Sequence, residues 1–309
     1  MKIVFMGTAD FGIPSLERLL EHNYTICGIV TTPPTRKGRG LKYIESSISE
    51  FASYNQIKPI LKPSDLKDES FQYNLSKLHA DLFVVVAFRI LPPEIFNIPP
   101  LGTINIHASL LPKYRGPAPI QRAIEAGERE TGITIFQIEK GIDTGNILLQ
   151  RSISIDRFET TPDIYRRLSK LAADTLIEVC ALFKKGKITG QKQDISKITN
   201  APKLLKRESR IDWNNTSEAI FNKIKAFKPF PGAYTFINGK RVSIEWAFPI
   251  ASSNLFKAGT VVNVSIEYFD IQCGEGCLRI LEVKPEGKKR MPSQAFLKGT
   301  KILKETIIE

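Results

Sequence analysis

Chemically versatile side chains cluster near the middle of the chain, on a short extended segment and on the loops after it. In Thr103–His107 the β-branched residues favour an extended chain, and its two-residue period puts Asn105 and His107 on one face. A carboxamide N–H can stabilise a developing oxyanion, and an imidazole can act as a base or a cation near neutral pH. With Asp143 to orient the imidazole, these residue types suit acyl transfer to an amine.

The residues after this strand predict a rigid, irregular loop. Apolar residues lead into Pro112, and Gly116, Pro117 and Pro119 follow, so neither a strand nor a helix is expected to continue. Open α/β sheets bind ligands in loops at the carboxyl ends of their strands. We therefore predict an active site here.

The first half of the chain alternates predicted strands with helical segments, which is typical of a doubly wound α/β domain with a mostly parallel sheet. The predicted strands are Lys2–Met6, Cys27–Thr32, Leu82–Phe88 and Thr103–His107, followed by an antiparallel pair, Ile133–Ile138 and Asn146–Ile155. A helix is expected from about Thr161 to Lys184. The turn after the first strand lacks the Gly-x-Gly-x-x-Gly spacing, which argues against a dinucleotide site.

After Gly232 the pattern changes to short strands separated by turns, and Asn238–Gly239 is a hairpin signal. Spacing alone does not distinguish a small barrel from a sandwich. We expect an α/β catalytic domain at residues 1–185, a Lys-rich linker at 186–207 and a β domain at 208–309.

Positive charge is unevenly distributed. The formal net charge is +12, yet residues 1–183 carry 21 basic and 20 acidic residues, whereas 184–206 carry seven Lys and one Asp. Residues 207–309 add 16 basic and 11 acidic residues. This distribution suits a polyanionic partner. A basic protein without such a partner is the alternative.

The cysteines predict neither disulfides nor a metal site. Cys27, Cys180, Cys273 and Cys277 are too scattered for a disulfide framework, and no second Cys/His pair accompanies the last two. The longest apolar run, Leu82–Phe88, is too short to span a bilayer. We therefore expect a soluble, cytoplasmic protein with no membrane partner.

Three motifs resemble those of the formyltransferases that use 10-formyltetrahydrofolate. They are Asn-Ile-His at 105–107, Ser-Leu-Leu-Pro-Lys-Tyr-Arg-Gly-Pro-Ala-Pro-Ile at 109–120 and Gly-Ile-Asp-Thr-Gly at 141–145. The likeness covers nearly the whole chain and is strongest to the branch that acts on initiator methionyl-tRNA. It implies a Rossmann-like catalytic domain followed by an OB-like β-barrel that binds tRNA. We expect a monomer that uses this folate as formyl donor and no metal.

The resemblance also implies roles for individual residues. Asn105, His107 and Asp143 would be the catalytic trio. The implied folate contacts are Phe88, Arg89, Ile90, Ser109, Leu110, Leu111 and Pro112. Arg89 departs from the family, which usually has Gly here, and is expected either to point to solvent or to contact the polar edge of the pteridine.

Basic residues in three segments are the predicted tRNA contacts. They are Arg36, Lys37, Arg39 and Lys42 in the first segment, Lys203, Lys206 and Arg207 in the linker, and Lys288, Lys289 and Arg290 near the end of the β domain. Composition alone would equally describe residues 33–42 as a solvated connecting loop, but the family has an insertion here that engages the tRNA acceptor end. Contacts with phosphates would make binding salt-sensitive.

Other functions stay open from the sequence alone. Related formyltransferase domains act on a nucleotide-sugar amine, on glycinamide ribonucleotide or on water, and a non-catalytic RNA-binding protein is a further alternative. The basic linker, the basic loop and the additional β domain favour tRNA over a small acceptor.

Overall fold

The computed structural model of the 309-residue chain describes residues 1–37, 42–251 and 256–308. The chain forms two compact units. The first consists of Met1–Pro119, Glu130–Ser154 and Tyr165–Ala201, and the second of Ile120–Arg129, Ile155–Ile164 and Pro202–Glu309. Residues 186–201, which are part of the predicted linker, thus belong to the first unit.

A seven-stranded sheet forms the centre of the first unit. The strands of this unit are β1 (Lys2–Gly7), β2 (Thr25–Val30), β3 (Thr35–Lys37), β4 (Lys42–Ile44), β5 (Ile60–Leu61), β6 (Leu82–Val86), β7 (Thr103–His107), β8 (Glu130–Gln137) and β9 (Ile147–Ser154). The order across the sheet is β5-β2-β1-β6-β7-β8-β9. The first five strands in this order are parallel, and β8 and β9 extend the sheet in antiparallel fashion.

Helices occur in both units. The α-helices are α1 (Ile13–Glu21), α2 (Ser47–Tyr54), α3 (Glu69–Ser76), α4 (Pro93–Phe96), α5 (Pro119–Glu125), α6 (Thr161–Lys184), α7 (Ser217–Ala226) and α8 (Ser293–Gly299). Polar caps begin several of them: the Ser46 hydroxyl accepts the Ser49 N–H at 3.0 Å, and the Asp68 carboxylate accepts two N–H groups of α3. Across the described ranges, none of the helices is long and apolar enough to cross a membrane.

The central strands of this sheet are almost completely apolar. All five residues of β6 are buried, as expected for a parallel strand covered on both faces. Phe83 and Val85 pack in one core cluster with Val4 and Met6 of β1. This packing fixes β6, and the predicted site lies at the carboxyl end of β7, the strand paired with β6.

The second unit contains an antiparallel sheet with its own core. Its strands are β10 (Tyr234–Ile237), β11 (Lys240–Ile250), β12 (Val261–Val264), β13 (Phe269–Gln272), β14 (Cys277–Pro285) and β15 (Met291–Pro292). The order is β10-β11-β14-β13-β12, and β15 pairs with β14. The predicted fold class, a mostly parallel α/β sheet followed by a small OB-like β domain, is confirmed.

The basic stretch at residues 33–42 includes short strands near both of its ends. Its two ends pair as an antiparallel hairpin of β3 and β4, in which Arg36 lies opposite Tyr43. The Arg36 guanidinium stacks 5.1 Å from the centre of the Tyr43 ring. This cross-strand contact favours the paired conformation. Arg39 lies outside the described residues.

Candidate active site

Strand β7 presents a carboxamide and an imidazole on one face. Asn105 lies opposite Val85 of β6 and Phe136 of β8, and His107 is the last residue of the strand. The His107 side chain is buried, whereas Asn105 is half-buried. Among the described residues, none is hydrogen-bonded to the Asn105 carboxamide, which leaves its N–H groups available to a ligand.

The His107 imidazole lies between two oxygen acceptors. Its Nε2 atom is 2.8 Å from the carbonyl oxygen of Tyr114, and its Nδ1 atom is 3.7 Å from Oδ2 of Asp143. A carbonyl oxygen can only accept a hydrogen bond, so Nε2 donates here. The Asp143 carboxylate faces Nδ1 at a distance longer than a hydrogen bond, so the direct bond that holds the imidazole is the one from Nε2 to Tyr114.

Asp143 is held by the loops around it. The Gly116 N–H donates to Asp143 Oδ2 at 2.8 Å, and the Asp143 backbone has a φ of 53°. This left-handed conformation is uncommon for a non-glycine residue. After it, Gly145 passes so close to β8 that an added Cβ would lie 1.7 Å from the Gln137 carbonyl oxygen. The structure thus brings Asn105, His107 and Asp143 to one end of β7.

The loop Ser109–Pro112 is tied to the neighbouring strands by a buried hydroxyl. Thr134 Oγ1 donates to the Ser109 carbonyl at 2.7 Å and accepts the Leu111 N–H at 3.0 Å. Gln150 Nε2 donates to both Thr134 Oγ1 and the Leu111 carbonyl, each at 2.8 Å. Sequence analysis did not identify Thr134 or Gln150. In the sequence these two residues are a polar hydroxyl and a polar amide among apolar residues. Neither indicates which distant group it would bond.

Arg89, three residues after β6, is hydrogen-bonded to the loop at residues 63–65. Its guanidinium donates to the backbone carbonyls of Ser64 at 3.0 Å and Pro63 at 2.8 Å, on the loop that follows β5. Burial lowers the pKa of this group, although the nearby Asp65 carboxylate partly offsets the effect. Arg89 thus connects the end of β6 to the 63–65 loop. Beside it, Phe88 is half-buried and Ile90 is exposed.

The described basic residues of the predicted tRNA surface lie on exposed segments. Arg36, Lys203, Lys206, Arg207, Lys288, Lys289 and Arg290 are all exposed. Lys37 and Lys42 form the last backbone pair of the β3–β4 hairpin. Arg290 Nε donates to Glu282 at 2.6 Å, so its charge is partly neutralised within the second unit. Among the described residues, no group of three or more His, Cys, Asp or Glu could hold a metal ion.

Fold and sequence together define the class of protein. Residues 1–180 match the family model described as "Formyl transferase", and residues 203–301 match "Formyl transferase, C-terminal domain". The α/β unit and the β unit are thus the catalytic and C-terminal domain types of a formyl-transferring enzyme. The chain belongs to the formyltransferase family.

Named relatives extend over the whole chain. It is 41% identical over 311 aligned positions to a methionyl-tRNA formyltransferase of Caldanaerobacter subterraneus, covering 100% of both chains. It is 40% identical to one from Moorella thermoacetica, over 97% of this chain and 96% of that one. A solved N-formyltransferase of Helicobacter canadensis, in complex with folinic acid and dTDP-3-aminofucose, has a TM-score of 0.68 at 21% identity. That match covers 94% of this chain and 100% of the other and supports the fold.

Proposed function

We propose that this protein transfers the formyl group of 10-formyltetrahydrofolate to the α-amino group of initiator methionyl-tRNA, acting as a monomer in the cytoplasm. The product, N-formylmethionyl-tRNA, serves translation initiation. The observation that carries the proposal is the 41% identity to a methionyl-tRNA formyltransferase over the full length of both chains. The likeness extends through the C-terminal domain.

The proposed chemistry is direct attack of the amine on the formyl carbon. A new C–N bond forms, the formyl oxygen becomes an oxyanion, and the bond to N10 then breaks, with the proton lost by the amine reaching N10. In this proposal the Asn105 carboxamide and the His107 Nε2–H donate to the oxyanion. To do so, Nε2 exchanges the Tyr114 carbonyl for the formyl oxygen. Asp143 orients the imidazole, balances its charge and assists removal of the amine proton.

The remaining predicted site residues bind the two substrates in this proposal. The loop Ser109–Pro112 and residues 88–90 contact the folate, with Arg89 acting through the 63–65 loop that it holds. The exposed basic residues, together with Arg39, contact the tRNA phosphates. A salt-dependent affinity for tRNA follows, because such contacts release counterions.

The proposal is tested by incubating purified protein with 10-formyltetrahydrofolate and methionyl-tRNA, beside free methionine and uncharged tRNA. Formylmethionyl-tRNA should form only with the charged tRNA. Consumption of the formyl donor without this product would mean that the acceptor is a different amine. If tRNA bound while the folate stayed intact, a non-catalytic RNA-binding function would replace the proposal.

Two substitutions test the proposed catalytic residues. His107→Ala and Asp143→Asn should each lower kcat by about a hundredfold or more, because the first removes a proposed oxyanion donor and the second removes the carboxylate that orients it. His22→Ala is the matched control, because this exposed histidine follows α1, where its Nδ1 atom lies 2.9 Å from the Arg18 carbonyl oxygen. Near-normal turnover in either site variant, with His22→Ala equally active, would refute the mechanism.

A further inference from the structure

Residues 191–201, whose composition predicts only a linker, lie along the loops that surround His107. Gln191 forms an antiparallel backbone bridge with Ile147, just after the loop of Asp143. Arg115 lies in the loop after β7, and its backbone N–H donates to the Thr199 carbonyl of this segment at 2.9 Å. The segment therefore spans both loops of the candidate site within the first unit.

One side chain of this segment joins the two loops. Gln193 Nε2 donates to the carbonyl oxygens of Asp143 at 2.9 Å and Gly145 at 2.8 Å. Its Oε1 atom accepts from Arg115 Nε at 3.1 Å and from Arg115 Nη2 at 2.6 Å. The carboxamide thus uses both of its N–H donors on one loop and its oxygen on the other.

The two carbonyls that accept from Gln193 belong to Asp143 itself and to Gly145, two residues later. Their positions therefore fix the backbone that carries the Asp143 carboxylate. Asp143 has the left-handed φ of 53°, a conformation that persists in a non-glycine residue only where neighbours enforce it. The Asp143 carboxylate approaches His107 Nδ1 at 3.7 Å, so a small shift of the loop would change this contact. Gln193 is well suited to prevent such a shift.

We infer that Gln193 is a positioning residue for formyl transfer: it holds the Asp143 loop so that the carboxylate faces His107. This inference rests on the proposed function. Misplacing a catalytic group by about 1 Å can cost about a hundredfold in rate. Gln193→Ala should therefore lower kcat about 10-fold to 100-fold, while KM for both substrates stays within about twofold.

Two further variants define the control and the mechanism. Gln191→Ala removes the same kind of side chain from an exposed position two residues earlier and should leave kcat unchanged. Gln193→Glu retains an oxygen acceptor for Arg115 but directs a second carboxylate oxygen at the two carbonyls. The Gln193→Glu enzyme should be at least as slow as the Gln193→Ala enzyme, although glutamate has nearly the same shape as glutamine.

A double-mutant cycle distinguishes positioning from general damage. Asparagine tolerates the left-handed conformation of Asp143, so Asp143→Asn removes the carboxylate and preserves the loop. In that background Gln193→Ala should lower kcat by less than about twofold, because the group that it positions is absent. An equal loss in both backgrounds, or wild-type kcat in Gln193→Ala, would overturn the inference.

Amide hydrogen exchange tests the same inference without any turnover. Peptides covering residues 141–147 should exchange faster in Gln193→Ala than in the wild type or Gln191→Ala, because two hydrogen bonds to this loop are lost. Unchanged exchange would refute the role of Gln193 even if the enzyme formylates methionyl-tRNA. Conversely, faster exchange in a protein that does not formylate methionyl-tRNA would mean that the proposed function, and not the loop contact, is wrong.

Discussion

The buried Thr134 hydroxyl offers a sharp test of how the site loop is held. Thr134 is completely buried on β8, and its Oγ1 atom bonds the Ser109 carbonyl, the Leu111 N–H and the Gln150 amide. Thr134→Val keeps the shape of the side chain and removes all three bonds. The variant should therefore destabilise the loop Ser109–Pro112 without creating a cavity.

The expected cost can be worked out from these contacts. Gln150 keeps its second bond, to the Leu111 carbonyl at 2.8 Å, so the groups that lose a partner are the Ser109 carbonyl and the Leu111 N–H. Each unsatisfied buried group costs about 1 to 3 kcal/mol, and the new methyl group returns up to about 1 kcal/mol. A loss of about 3 kcal/mol is expected. With a urea dependence of about 2 to 3 kcal/mol/M, the midpoint should fall by about 1 to 1.5 M.

The assay is equilibrium urea unfolding followed by far-UV circular dichroism, with amide exchange of Leu111 as the local measurement. Leu111 should exchange faster in Thr134→Val, and KM for the formyl donor should rise because the loop is a predicted folate contact. Thr131→Val is the control: it is a buried threonine of the same strand whose hydroxyl bonds none of the described loop groups. Wild-type stability in Thr134→Val, or an equal loss in Thr131→Val, would refute this reasoning.

Two further predictions concern a glycine and an ion pair. Gly145→Ala should lower the yield of folded protein or reduce kcat at least about a hundredfold, since its Cβ would lie 1.7 Å from the Gln137 carbonyl, whereas Gly299→Ala has open space and should be neutral. In the second unit, burial raises the pKa of Glu208, but hydrogen bonds from a backbone N–H and from Arg122 outweigh it, so the pKa is lowered from 4.5. Stability from Glu208 is thus present above pH 4.5 and lost as the pH falls through the lower folded value. Tryptophan fluorescence reports on this unit, which contains both tryptophans; Arg122→Ala should weaken its acid sensitivity, and an unchanged acid transition would contradict the assignment.

Elements with a strong local pattern could be predicted from the sequence. Strand β7 has the predicted bounds, and α6 runs from Thr161 to Lys184 as its apolar spacing and its Thr-Thr-Pro-Asp start indicate. The Asn238–Gly239 turn joins β10 and β11 as expected. In each case the signal lies within a few consecutive residues.

Contacts between distant parts of the chain could not be predicted in this way. Gln193 is 50 positions from Asp143, and Thr134 is 25 positions from Ser109. Neither side chain follows a periodic pattern that would indicate its partner. Arg89 illustrates the same limit, because its carbonyl acceptors are on a loop about 25 positions earlier. A sequence pattern can predict which residue types suit the chemistry, but the groups that hold them depend on the folded topology.

The backbone around His107 gives an independent reason to assign chemistry to this place. Both groups that face the imidazole belong to residues with left-handed backbone: Tyr114 has a φ of 60° and Asp143 a φ of 53°. Glycine or asparagine would occupy such positions at lower cost if only the turn mattered. Instead the chain has a bulky residue that directs a carbonyl at Nε2 and an acidic residue that directs a carboxylate at Nδ1. Strain of this kind, with the Tyr114 N–H bonded to Thr199 Oγ1 at 2.8 Å, is expected where the position of a reacting group matters more than stability.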